Sequence, residues 1–325
     1  MRGKRRLIAA LVVAALCAPT VWLRSEIVRE NPTSIELQQI AGESDIDAAG
    51  WRVAGVWEYT TAPNLRFGGY SALLALSSGR LRAYSDRGFL LTITEPDQPL
   101  ERPEDRSVSR MHFAEPEHYW MLWDIESATR DPETGSFWLG FENTHAIHRF
   151  SARSEPEELR MLGGEVDWYD NGGLEAMERL SDGRFLAVPE GRSEALIYPA
   201  DPVEGGAPEE IAFANPASDH AVTDIAQLPD GRLLLLLRDV AWGIPPFTGK
   251  LAIANAPKSG MTGEWSAEIL FDLDAVIPPE NYEGIAVRAN GDGTIAVWIM
   301  SDDNFSVLQR TLLAKLVFDP SIEAQ

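Results

Sequence analysis

Five times along this 325-residue chain a glycine preceded by Ser, Thr or Asp separates two runs of β-forming residues. The glycines are Gly79, Gly135, Gly183, Gly231 and Gly293, at steps of 56, 48, 48 and 62 residues. A tight hairpin turn needs a positive φ that glycine accepts without steric cost, so each site reads as a β-hairpin. A hairpin repeated at about 50-residue steps cannot bury its apolar face alone and must stack on its neighbours, which is the sequence signature of a β-propeller.

Between the glycine hairpins run less regular strand pairs: Ala146–Phe150 with Glu158–Leu162, Glu194–Tyr198 with Glu209–Phe213, and Lys250–Ala254 with Ala267–Phe271. Inner plus outer hairpin makes a four-stranded blade. The final repeat has only Thr311–Phe318 left to follow it, while Trp51–Tyr59 stands unpartnered at the other end. Pairing the two closes the ring and removes an exposed sheet edge. The reading is therefore all-β: a propeller over residues 45–320, with five four-stranded blades, or six if Phe89–Tyr119 supplies another around its Pro/Glu/Arg-rich loop at Glu95–Arg106. Sustained helical periodicity is absent, so helices are expected to be scarce. Trp123, Trp138, Trp168 and Trp298 lie on or beside inner strands and are expected to pack between blades.

The acidic residues follow the same repeat. Seven residues past the turn glycine come Asp86, Glu142 and Glu190, with Arg238 in the fourth copy, and Asp302 and Asp303 follow the fifth glycine. Seven to ten residues before it lie Ser71, Glu126, Glu175, Asp224 and Glu283, with Asp124 beside the second. Both series sit at the open end of the hairpin, so a propeller gathers them around its mouth. Like charges held that close need a proton or a cation between them. Hard oxygen donors in an irregular ring favour Ca²⁺, so Asp86, Glu126, Glu142, Glu175, Glu190, Asp224, Glu283, Asp302 and Asp303 are the candidate metal ligands. A solvated acidic rim is the bland alternative.

Candidates for catalysis are few. His145 and His148, three apart, point to opposite faces of a strand and cannot share a metal. His220, beside Asp219 near the fourth acidic position, is a candidate acid/base, and Arg238 can either pair with carboxylates or grip an anionic substrate group. Ser71 lacks the setting of a nucleophile elbow and reads as structural.

A net charge of −22 excludes nucleic acid as a partner, because binding it requires cations that displace phosphate counterions. Residues 1–26 have the layout of an export signal or an uncleaved N-terminal anchor, with Arg2, Lys4, Arg5 and Arg6 ahead of an apolar run from Leu7 to Leu16. Cys17 is the only cysteine and lies in that segment, so the remainder has neither a disulfide nor a thiolate metal site. A periplasmic or secreted protein is expected.

The chain resembles the phytase-like family described by esterase-like activity. The residues that carry the resemblance are Gly68-Gly69-Tyr70-Ser71 with Ser85-Asp86-Arg87-Gly88, Asp124-Ile125-Glu126 with Gly140-Phe141-Glu142, and Asn171-Gly172-Gly173-Leu174-Glu175 with Glu190. Leu236-Leu237-Arg238 and Asn281-Tyr282-Glu283-Gly284 with Ser301-Asp302-Asp303-Asn304-Phe305 complete it. The resemblance implies a propeller and hydrolysis of a small-molecule ester or phosphoester, with Ca²⁺ as the cofactor. Two other readings stand beside it: a noncatalytic propeller that binds a ligand or partner protein, and a lactonase-like metal hydrolase that would add Asn171 or Asn304 as ligands.

Overall fold

The computed structural model describes residues 34–323 apart from 63, 78, 99–105, 165 and 167–172; residues 1–26, where an export signal or anchor is expected, Trp168 and Asn171 lie outside the described residues. Five sheets, antiparallel but for one short parallel edge pairing of Phe213 with Trp265, are arranged as five blades. Blade one is Tyr70–Leu76, Arg80–Ser85, Phe89–Thr94 and Arg106–Arg110; blade two is Ile125–Arg130, Phe137–Phe141, Ala146–Phe150 and Pro156–Met161. Blade three is Ala176–Arg179, Phe185–Val188, Glu194–Tyr198 and Glu209–Ala214, with the two-residue strand Trp265–Ser266 added at its edge; blade four is Ala221–Gln227, Arg232–Val240, Phe247–Asn255 and Glu268–Asp272. Blade five takes Tyr282–Ala289, Ile295–Ser301 and Thr311–Phe318 from the C-terminal end, then Trp51–Thr61 and Ile35–Ala41 from the N-terminal end.

The ring thus closes by antiparallel pairing of Thr311–Phe318 with the N-terminal strand, from Thr311 opposite Tyr59 to Phe318 opposite Trp51. Ile35–Ala41 extends that blade ahead of residue 45, where the sequence reading begins the domain. The blade count is five: Phe89–Thr94 and Arg106–Arg110 pair with each other as the outer half of blade one and leave no material for a sixth. The four-residue segments His118–Met121 and Pro320–Glu323 are the described α-helices.

Local chemistry explains the repeat. The five turn glycines have φ between 67° and 91°. In the third, fourth and fifth blades the glycine N–H closes a turn on the carbonyl three residues back, to Leu180, Leu228 and Asn290, and those same residues donate to Arg184, Arg232 and Thr294. That is a type I turn completed by a left-handed glycine. Side chains from facing blades meet in five apolar clusters, one at each blade junction. Trp298 fills the junction of blades five and one, and Trp138 that of blades two and three. Trp123 departs from expectation: it is half exposed, on the loop that leads into blade two. The five innermost strands touch one another in sequence, and the last returns to the first, which brings their starting ends together at one face.

Candidate functional site at the propeller mouth

Two series of side chains meet where the inner strands begin. The first comes from the innermost strands, at positions where the pairing register slips: between Tyr70 and Ala72, Ile125 and Ser127, Val222 and Asp224, and Tyr282 and Gly284. A bulge of this kind re-aims the extra residue, and those residues are Ser71, Glu126, Thr223 and Glu283, joined by Glu175 just ahead of Ala176–Arg179. The second series lies at the mouth end of the next strand of each blade: Asp86, Glu142, Glu190 and Asp302 just past its end and Arg238 two residues before it. Each holds a fixed place, because Asp86, Glu142, Glu190 and Asp302 donate their backbone N–H to Gly69, Asp124, Gly173 and Asn281, at 2.8 to 3.2 Å, and Arg238 is opposite Ala221.

The two series face each other. Ligand oxygens of Asp124, Glu126 and Glu142 lie within 4.8 Å of one another, and so do those of Glu142, Glu175 and Glu190. Gly173 makes the second approach possible, since a Cβ there would sit 2.3 Å from the Glu142 side chain. Ser71 donates to Asp86 at 2.8 Å, and Asn143 donates to Asp124, which holds a left-handed backbone at φ 68°. Arg238 is the cation of the ring: it donates to Asn281 Oδ1 at 3.1 Å and lies 3.3 Å from Glu283, to which Asn281 itself donates at 2.9 Å.

Burial is the main cause of a general upward shift in carboxyl pKa. It pushes Asp86 up to about 7 despite the Ser71 hydroxyl, with Glu283 and Asp124 adding repulsion. Glu142 is likewise pushed up to about 7 by burial and by Asp124 and Glu190. Glu126 is raised well above its ordinary value by burial and by Glu175 and Glu283; Glu175 by burial and by Glu190 and Glu283, with Arg238 opposing. Glu283, Asp302 and Asp124 are raised too, by burial first. Each of these groups would release its proton readily only if positive charge replaced it. The donors are carboxylate oxygens, a hydroxyl and amide groups, and thiolates are absent, so the set suits a hard divalent cation.

Two expected ligands are placed elsewhere. The register slip puts Thr223, not Asp224, at the fourth bulge, and Thr223 points its hydroxyl to the Leu236 and Tyr282 carbonyls. Asp224 is fully buried and accepts the backbone N–H groups of Ile225 at 2.8 Å and Ile285 at 2.7 Å, joining blade four to blade five. Asp303 accepts from the backbone N–H groups of Gly69 and Phe305 and from the Thr311 hydroxyl, each at 2.9 Å, and so fastens blade five to blade one. Asn304 is exposed and donates to Gln309. A further acid escaped the repeat: Glu178 accepts from Thr129 and from the Gln227 N–H, and burial pushes it up to about 7.

His220 stands outside the ring. Its Nδ1 lies 2.9 Å from Asp219, while its buried Nε2 has no hydrogen-bond partner among the described residues. It lines a cavity of about 600 Å³ between blades three and four that reaches Glu190 and also includes Arg192 and Asn215. The roles of Asn143 and Asn281 escaped the sequence reading, although each adjoins a repeat position.

Topology and site together define a five-bladed β-propeller with a mouth ringed by mutually facing carboxylates. The family model for the phytase-like proteins, described as esterase-like activity of phytase, matches residues 65–305, and the chain belongs to that family. A search of the curated proteins gives no match. Among solved structures the chain is similar to glutaminyl cyclase of Myxococcus xanthus, at 13% identity over 83% of this chain and 97% of that one, with a TM-score of 0.48. It is also similar to a luciferin-regenerating enzyme, at 12% identity over 87% and 95%, TM-score 0.43, and to a streptogramin B lyase, at 10% over 89% and 99%, TM-score 0.40. At scores below 0.5 no function follows from these likenesses.

Proposed function

We propose that this protein is an exported, Ca²⁺-dependent hydrolase of small-molecule esters or phosphoesters whose active site is the carboxylate ring. One observation carries the reading: two carboxylate triads, Asp124, Glu126 and Glu142, and Glu142, Glu175 and Glu190, each within 4.8 Å, share Glu142 at the mouth of a phytase-like propeller, with Arg238 bonded into the ring. Asp124, Glu126 and Glu142 would hold one ion, and Glu142, Glu175 and Glu190 a second. A divalent ion bound there would neutralise an anionic substrate group and lower the pKa of bound water. The chain's own contribution is to fix the oxygens by bulges and backbone ties, and to keep Arg238 beside Glu283 where its fork can meet a second anionic group. Arg192 and His220 line the adjoining cavity, the natural place for the leaving group.

Export is supported by the basic and apolar pattern of residues 2–16. Among the described residues, no helix is long and apolar enough to cross a membrane.

The reading is tested by thermal unfolding of the EDTA-treated protein with and without Ca²⁺, in parallel with turnover of an aryl phosphate and a short-chain aryl ester. Ca²⁺ should raise the midpoint and restore turnover together. If Ca²⁺ changes neither, the hydrolase reading gives way to a ligand-binding propeller.

A further inference from the structure

The face of the propeller that carries the carboxylates also carries most of its exposed large apolar side chains. Leu65, Trp120, Trp242, Ile244, Val307 and Leu308 are between 46% and 106% exposed, and all lie on loops, or for Trp120 on the short helix His118–Met121, at the ends where the inner strands begin. At the opposite face, where the turn glycines lie, the exposed large apolar residue among the described residues is Ile322. Apolar surface concentrated around a polar mouth marks a place where ligands bind.

Within this crown lies a cavity of about 310 Å³ at the junction of blades five and one. Phe67, Phe305, Leu65 and Val307 line it, and Arg87 and Arg310 border it. Phe305 is held at φ 50°, a conformation a bulky side chain adopts only when its surroundings impose it. Its N–H donates to Asp303, and the Arg87 guanidinium lies 3.4 Å from its ring centroid.

The cavity is joined to the carboxylate ring through Gly69. A Cβ on Gly69 would lie 2.3 Å from the Phe305 ring and 3.2 Å from Asp86 Oδ2, so this glycine lets the apolar wall and the ring carboxylate approach within one residue of each other. We infer that the blade five to blade one cavity is an apolar subsite that receives the acyl or aryl group of an amphiphilic substrate whose polar group sits at the Asp86 side of the ring. This rests on the hydrolase reading for the fate of the substrate, while the binding claim stands on the cavity. Its size suits a single ring or a medium-length alkyl chain, at the small end of ligand pockets. Burying methylene groups there adds affinity in proportion to the apolar area removed from water.

The test compares octylphosphonate with methylphosphonate by calorimetry on the Ca²⁺-supplemented protein, alongside kcat/KM for 4-nitrophenyl octanoate and acetate. Octylphosphonate is expected to bind at least tenfold more tightly. Val307→Trp, which fills the cavity, and Leu65→Asp, which charges its lip, should each abolish that preference and leave methylphosphonate binding as it was. Equal binding of the two phosphonates, binding of neither, or a preference that survives both variants overturns the subsite. If no ester turns over yet the octyl preference is present and both variants remove it, the subsite stands and the hydrolase reading fails.

Discussion

Two groups of buried or half-buried acids in this molecule differ in what their oxygens face. Asp224, Asp303 and Glu178 accept from backbone N–H groups and hydroxyls and tie neighbouring blades together. Glu126, Glu142, Glu175 and Glu190 face other carboxylates at the mouth. Burial raises the pKa of Asp224 as it does that of Glu175. Burial therefore does not separate structural acids from site acids; the partner does. A carboxylate satisfied by fixed donors is part of the scaffold, whereas one facing its own kind retains a requirement for positive charge.

The largest expected effect breaks this comparison from the site side. Glu175→Gln with Glu190→Gln removes ligands and repulsion together, so Ca²⁺-dependent turnover should fall at least about 100-fold, the range of a lost electrostatic contribution to catalysis. The EDTA-treated variant should melt higher than the EDTA-treated parent, because the amides can donate to Glu142. A lower melting point in the absence of metal would place Glu175 and Glu190 with the structural acids.

From the other side, Asp224→Asn should destabilise the fold by about 1–3 kcal/mol, the cost of leaving a buried donor unsatisfied. The amide has one acceptor oxygen for the two N–H groups of Ile225 and Ile285. Denaturant unfolding measures this, and Ca²⁺ stabilisation should be unchanged. A loss of Ca²⁺ response in this variant would return Asp224 to the ring.

A pH titration sharpens the contrast. Asp86 and Glu142, pushed up to about 7, bind more protons folded than unfolded between about pH 4 and 7. The metal-free protein should therefore lose stability as pH rises through that window, with the full contribution present only below the unfolded-state values. Ca²⁺ competes with those protons, so its stabilisation should be several degrees at pH 8 and small at pH 5. A metal-free midpoint that rises from pH 5 to 8 would contradict the ring's electrostatics.

How far the sequence carried this division follows from the range of each interaction. The turn glycines mark five blades because hairpin chemistry is local, and the ring-closing strands were readable because Trp51–Tyr59 and Thr311–Phe318 were each left without a neighbour. Asp224 was misassigned because a single bulged residue slips the register by one, and a slip of one exchanges the faces of a strand. Nothing local in Asp302-Asp303 says that the second carboxylate is occupied by Gly69 and Thr311, since Gly69 is distant in sequence. The apolar cavity has the same character: its walls, Leu65 and Phe67 from one end of the chain, Arg87, and Phe305 and Val307 from the other, meet only when the first and last blades close.

The smallest predicted effect concerns Arg238, a cation that shares features of both groups of acids. Arg238 is bonded like a scaffold residue, through Asn281, yet it lowers the pKa of Glu283 and Glu175 within the ring. Arg238→Gln should cost the metal-free protein about 1–2 kcal/mol at pH 8, within the range for a charged hydrogen bond. It should also move Ca²⁺ saturation to lower concentration, because a competing positive charge is gone. If Arg238 serves only to offset the carboxylates, kcat and KM at saturating Ca²⁺ will match the parent. If its fork also holds an anionic substrate group, KM for the aryl phosphate will rise while that for a neutral aryl ester stays put, and this split assigns the residue to the scaffold or to the site.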